Sequence, residues 1–105
     1  MGPILRHVNL FTWKEATTEA DIEALTAVLQ KLPEEIPEVK AIFFGADLGL
    51  MEGNVDFAIL LDFEDAEAFR RYTAHPAHDR MVKDFIRPMM ASRQAVQFRA
   101  PAAAS

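Results

Sequence analysis

In the run Val55-Asp56-Phe57-Ala58-Ile59-Leu60-Leu61-Asp62-Phe63, every second residue from Val55 is large and apolar. Side chains of an extended chain alternate between its two faces, so Val55, Phe57, Ile59, Leu61 and Phe63 form one wholly apolar face. Asp56, Ala58, Leu60 and Asp62 form the other. The run is a strand, and glycines at 45, 49 and 53 set off the turn region before it. On the far side of that turn, Val39 to Leu48 is a second strand, rich in β-formers at Ile42, Phe43 and Phe44.

Working outward, Ile4 to Phe11 alternates more loosely. Leu5, His7, Asn9 and Phe11 share one face, and Ile4, Arg6, Val8 and Leu10 the other. Both faces carry apolar groups, which predicts a strand covered on both sides. After a turn through Lys14 to Thr17, Thr18 is a helix N-cap followed by acids in the first turn. Ile22, Leu25, Val28, Leu29 and Leu32 recur at helical spacing, and Pro33 is expected to end the helix. Glu64 or Asp65 opens a short helix with Ala68, Phe69 and Tyr72 on one side. Pro76 is suited to the first position of another, with His75 as its N-cap. That helix should run to about Met90 with His78, Val82, Phe85, Ile86 and Met89 in one stripe, kinked or cut short by Pro88. Ser92 to Arg99, with Val96 and Phe98, closes the fold as a strand.

The order is strand, helix, strand, strand, helix pair, strand. It predicts the α+β class, a ferredoxin-like split βαβ with a four-stranded antiparallel sheet and helices on one face. The other face would present Ile4, Val8, Leu10 and Leu60, too apolar to leave in water, so a homodimer pairing two sheets face to face is expected.

The chain has 105 residues, enough for one domain: residues 1–99, with a flexible tail over 100–105. A formal net charge of −5 argues against nucleic-acid binding. Cysteine is absent, which removes disulfides, thiolate metal sites and thiol nucleophiles and suits a cytoplasmic location. No stretch reads as a membrane span, and the first residues do not read as a signal peptide.

The chemistry is concentrated in Tyr72-Thr73-Ala74-His75-Pro76-Ala77-His78, which holds the only tyrosine and two of the three histidines. Histidine titrates near neutrality, so its clustering beside a phenol offers acid–base chemistry or metal ligation. In a first helical turn, His78 feels the positive end of the helix dipole, which favours neutral imidazole, the form that accepts a proton. The competing reading is a structural clamp, with His78 bonded to Tyr72 or to backbone. His75 reads first as a cap, and His7 as a pocket wall or a satisfied core histidine. The His-x-x-His spacing does not converge as metal ligands would, so no metal is expected. Trp13, Phe43 and Phe44 read as core or dimer contact before pocket wall.

Taken in order, Arg6-His7-Val8, Ile36-Pro37-Glu38-Val39, Asp56-Phe57-Ala58, Asp62-Phe63-Glu64-Asp65 and the Tyr-x-x-His-Pro-x-His segment resemble the stress-responsive α/β-barrel (Dabb) family, from Ile4 to Phe98. The resemblance implies a dimer in which two such sheets form a barrel. It also implies mixed functions, from stress-associated oligomers to a plant enzyme, olivetolic acid cyclase, that closes a linear poly-β-ketone into an aromatic acid by an aldol reaction. By that likeness His78 and Tyr72 correspond to an acid–base pair and His7 to a pocket-lining histidine, with Asn9, His75, Phe57 and Phe85 beside them as substrate-binding candidates. The cyclase's pocket histidine on the third strand has no counterpart here, where Asp56-Phe57 stands. The expected function is binding of a small hydrophobic, aromatic or polyketide-like molecule with aldol-type cyclisation and no cofactor. The alternative is a non-catalytic stress-responsive oligomer.

Overall fold

The computed structural model describes residues 3–101. The elements follow the order β1 (Ile4–Trp13), α1 (Glu19–Glu35), β2 (Ala41–Ala46), β3 (Phe57–Phe63), α2 (Ala66–Ala74), α3 (Pro76–Met81), a π-helical turn (Val82–Ile86) and β4 (Met90–Ala100). The four strands form one antiparallel sheet in the order β2-β3-β1-β4, the ferredoxin-like arrangement.

Local chemistry accounts for the element ends. Thr18 caps α1 reciprocally: its Oγ1 accepts from the Asp21 N–H at 3.2 Å, and the Asp21 carboxylate accepts from the Thr18 N–H at 3.0 Å. Asp65 caps α2 by accepting from the Ala68 N–H at 2.8 Å. Gly49 and Gly53 take positive φ (73° and 84°) in the connection between β2 and β3, where a side chain would be strained.

Several boundaries differ from the sequence reading: β1 runs on to Trp13, β3 starts at Phe57 and β4 at Met90, and three further differences have a clear physical cause. Pro33 lies inside α1, which continues to Glu35. Burial of Leu32 and Ile36 on the same stripe holds the last turn together, and Ile36 N–H still donates to Leu32 O at 2.8 Å. The second strand is shorter than Val39 to Leu48, because pairing with β3 runs only from Ala41↔Asp62 to Ala46↔Phe57. Ala100 closes β4 opposite Ile4 and is buried, so the expected tail does not start there. The rest of that tail, from 102, and the first two residues lie outside the described residues.

The register assigns the two faces. Leu5, His7, Asn9, Phe11 and Trp13 of β1 look toward the helices with Phe57, Ile59, Leu61 and Phe63 of β3. Leu25, Leu29, Leu32, Ile36, Leu61 and Phe63 are the large side chains fully removed from solvent, so the core is the layer between α1 and the sheet. On the opposite face, Phe43, Leu60, Val8 and Val96 are register partners in sequence across all four strands. That rung is apolar from edge to edge, and Phe43 and Val96 are more than half exposed (54% and 53%). The neighbouring rung holds Asp62, which accepts from Arg6 Nε and Nη2 at 2.8 and 2.9 Å, with Phe98 on the far side of Arg6. This face is uncovered in the single chain.

Candidate functional site

Between β1, β4 and the helices α2 and α3 lies a cavity of about 360 Å³. Its floor is the sheet: His7, Asn9 and Phe11 from β1, Ile59 from β3, and Arg93 and Gln97 from β4. Its roof is Phe69, Tyr72 and Thr73 from α2, His78 and Met81 from α3, and Val82, Ile86 and Arg87 beyond it. Since β4 is an edge strand with exposed side chains, the cavity opens along that edge.

Four of the seven predicted residues meet here: His7, Asn9, Tyr72 and His78. The Tyr72 and His78 rings meet edge to face, centroids 4.6 Å apart. Tyr72 is 2% exposed and rests on Phe63 and Phe69 at 4.9 and 6.3 Å. Its hydroxyl has no hydrogen-bond partner among the described residues, yet it is not among their fully buried unpartnered polar atoms, so it reaches the cavity. Burial pushes the phenol well above its usual pKa and keeps it a proton donor.

Burial also holds His78 below the ordinary histidine value. Asp79 and the Thr73 carbonyl oppose that shift, and Arg93 adds to it. The neutral imidazole carries one ring N–H and leaves its other nitrogen as an acceptor. His7 is pushed down to about 4, first by burial and then by Arg93 and His78. Its Nδ1 lies 2.8 Å from Gln97 Nε2. With Gln97 donating there, neutral His7 carries its proton on Nε2.

The depressed His7 value has a stability consequence. Between about 4 and 6.5 the unfolded chain holds a proton on this histidine that the folded chain does not. Stability therefore rises with pH through that window, is complete above it, and is lost as the pH falls toward 4. Thermal melts of wild type and His7→Gln across this range should show a shallower pH dependence in the variant. Parallel profiles would mean that His7 titrates as it does unfolded.

Three predicted residues lie elsewhere. His75 caps α3, its Nδ1 accepting from the Ala77 N–H at 3.0 Å, and so faces the backbone instead of the cavity. Phe57 sits at the far end of β3 against Trp13, ring centroids 5.7 Å apart. A regular helical stripe puts Phe85 beside Val82 and Ile86, but Arg87 N–H donates to Val82 O at 2.8 Å, five residues back. A π-turn takes an extra residue per turn. It leaves Val82 and Ile86 on the cavity wall and turns Phe85 toward α1 and the Lys14–Thr17 turn.

The sequence reading missed Arg93 and Gln97. Arg93 Nε donates to Asn9 Oδ1 at 2.9 Å, joining β4 to the buried amide on β1. Their signal was available in parity: with Val96 and Phe98 on one face of the last strand, Arg93, Ala95 and Gln97 occupy the other. Among the described residues no group of three or more His, Asp or Glu converges as metal ligands, and no helix is long and apolar enough to cross a membrane.

A profile of the stress responsive A/B barrel domain matches residues 5–100. The stress-response A/B barrel domain-containing protein HS1 of Arabidopsis thaliana is 32% identical over 79 residues, covering 73% of this chain and 72% of its own length. Among solved structures, a dimeric ferredoxin-like protein from Thermobifida fusca is 44% identical over 95% of this chain and 93% of its own, with a TM-score of 0.86. The hydroxynitrile lyase of Passiflora edulis covers all of both chains with a TM-score of 0.84 at 19% identity, a likeness of fold alone.

Proposed function

This chain belongs to the stress responsive A/B barrel domain family, and from that premise we propose a homodimer whose cavity binds a small hydrophobic, aromatic or polyketide-like molecule and acts on it by acid–base chemistry. The observation that carries this reading is the Tyr72–His78 pair on one cavity wall. Its phenol has no protein partner among the described residues, and its imidazole is kept neutral. The Thermobifida fusca relative is a dimer, which supports a homodimer here, and the apolar outer face of the sheet is uncovered in the single chain. An acidic domain without cysteine fits a cytoplasmic setting.

In this reading neutral His78 takes a proton from a carbon next to a carbonyl. Negative charge develops on the carbonyl oxygen, where the Tyr72 hydroxyl donates a hydrogen bond. The resulting enolate carbon attacks a second carbonyl of the same molecule, closing a ring by carbon–carbon bond formation as that C=O π bond opens, and the new alkoxide takes the proton back from His78. His7, with Nδ1 engaged by Gln97, offers its Nε2–H as a further donor.

The chemistry is testable without the natural substrate, by following deuterium exchange at the activated methylene of phenylacetone. Wild type should accelerate exchange, and His78→Ala should remove about two orders of magnitude of that acceleration, the usual worth of a positioned base. Tyr72→Phe should remove less, and neither variant should move the melting temperature by more than a few degrees. No acceleration by wild type, together with a large fall in melting temperature for His78→Ala, would make the pair a clamp between helices in a non-catalytic oligomer.

A further inference from the structure

The charge in the cavity has one sign. None of its lining residues is an Asp or Glu, and Arg93 and Arg87 are its formal charges apart from the histidines. Arg93 pairs with no carboxylate among the described residues. Its orientation is nevertheless fixed, because Nε is committed to Asn9 Oδ1 at 2.9 Å and Asn9 is only 6% exposed. A guanidinium held through Nε keeps its two terminal amino groups as a planar fork, the geometry that matches a carboxylate with two parallel hydrogen bonds. The cavity also offers a polar group and an apolar group of residues on different walls. Asn9, Arg93 and Gln97 lie on the sheet floor beside the open edge, whereas Phe69, Met81 and Ile86 belong to the roof.

We infer that the ligand is an organic acid, its carboxylate held by the Arg93 fork at the open edge of the cavity and its apolar body lying against Phe69, Met81 and Ile86. This rests on the ligand-binding reading of the cavity and narrows it to a class: monoanionic acids, held more tightly than neutral ketones or esters. The Arg93 guanidinium, held at the exposed edge of the cavity, matches one carboxylate, and the apolar roof residues give the remainder a reason to enter. The inference also connects binding to chemistry. The Arg93 charge lowers both His7 and His78. A carboxylate on Arg93 offsets that charge, so a bound acid makes His78 a stronger base than it is in the empty cavity.

The test is calorimetric titration of the full chain with two probes of one shape, naphthoate and naphthamide. In wild type the acid should bind at least about tenfold more tightly than the amide, the usual gain from a charge-assisted bidentate pair. Arg93→Gln should erase that ratio by weakening naphthoate alone. Arg93→Lys, which keeps the charge without the fork, should fall between. Equal binding of the two probes by wild type, or a preference that survives Arg93→Gln, overturns the inference and leaves the cavity reading intact. Binding of neither probe removes the cavity reading and the inference with it. Arg93 lies on an exposed edge strand, so both variants should melt near wild type; if Arg93→Gln does not fold, the wild-type ratio and Arg93→Lys still decide the matter.

Discussion

Phe63→Ala should lower the stability of the domain by about 3–5 kcal/mol, the range for removing a fully buried aromatic ring. Phe63 is 0% exposed and sits at the junction of sheet and helices. Its ring meets Phe69 edge to face at 5.5 Å and Tyr72 at 4.9 Å. The backbone at Phe63 is fixed by pairing with Leu5, so the space left by the ring cannot close by a shift of the strand. A domain of this size has roughly 5–15 kcal/mol in total, so the variant should unfold at far lower denaturant concentration, and partly at rest. Urea melts measure this directly. The same substitution loosens the support beneath Tyr72, so any phenylacetone exchange should fall before the fold is lost. A midpoint within experimental error of wild type would mean that α2 is not held to the sheet through this ring.

Val96→Asp should convert the proposed homodimer to monomer. Val96 ends the rung Phe43–Leu60–Val8–Val96 and is more than half exposed in the single chain, so the change costs the isolated fold little. In a twofold interface the substitution enters twice, and each copy takes a carboxylate out of water with no partner for it. At 2 kcal/mol or more per copy, the dimer dissociation constant should rise by roughly a thousandfold. Sedimentation equilibrium across a concentration series reads this out, with circular dichroism confirming that the monomer is folded. Undiminished dimerisation of Val96→Asp would place the interface elsewhere, despite the uncovered apolar face.

Much of this architecture is legible in the sequence because its signals are local. Alternation along Val55 to Phe63, the Thr18 cap and the stripe through Leu25, Leu29 and Leu32 each follow from neighbours a few residues apart, and the fold they compose is the one observed. Pro33 misled because the rule that proline ends helices is also local, whereas burial of Leu32 and Ile36 is not. The site divides in the same way. Tyr72 and His78 are six positions apart across a capped helix junction, and the cap itself brings them together. His75 lies between them in sequence, but a capping side chain turns back to the backbone, so proximity in the motif gives no place in the cavity. Phe85 fell out through one extra residue in a π-turn. Arg93 and Gln97 are joined to Asn9 and His7 across 84 and 90 residues of chain, and only the β1–β4 register brings them there.

The most direct measurement is an NMR titration of the imidazole resonances with phenylacetone. The three histidines form a built-in control: His7 and His78 line the cavity, while His75 caps α3 and stays outside it. Saturable shifts of His7 and His78 at one common midpoint, with His75 unmoved, are the predicted result. Shifts of His75 equal to the others, or no shift in any of the three, would contradict a ligand-binding cavity built on His7, Tyr72 and His78.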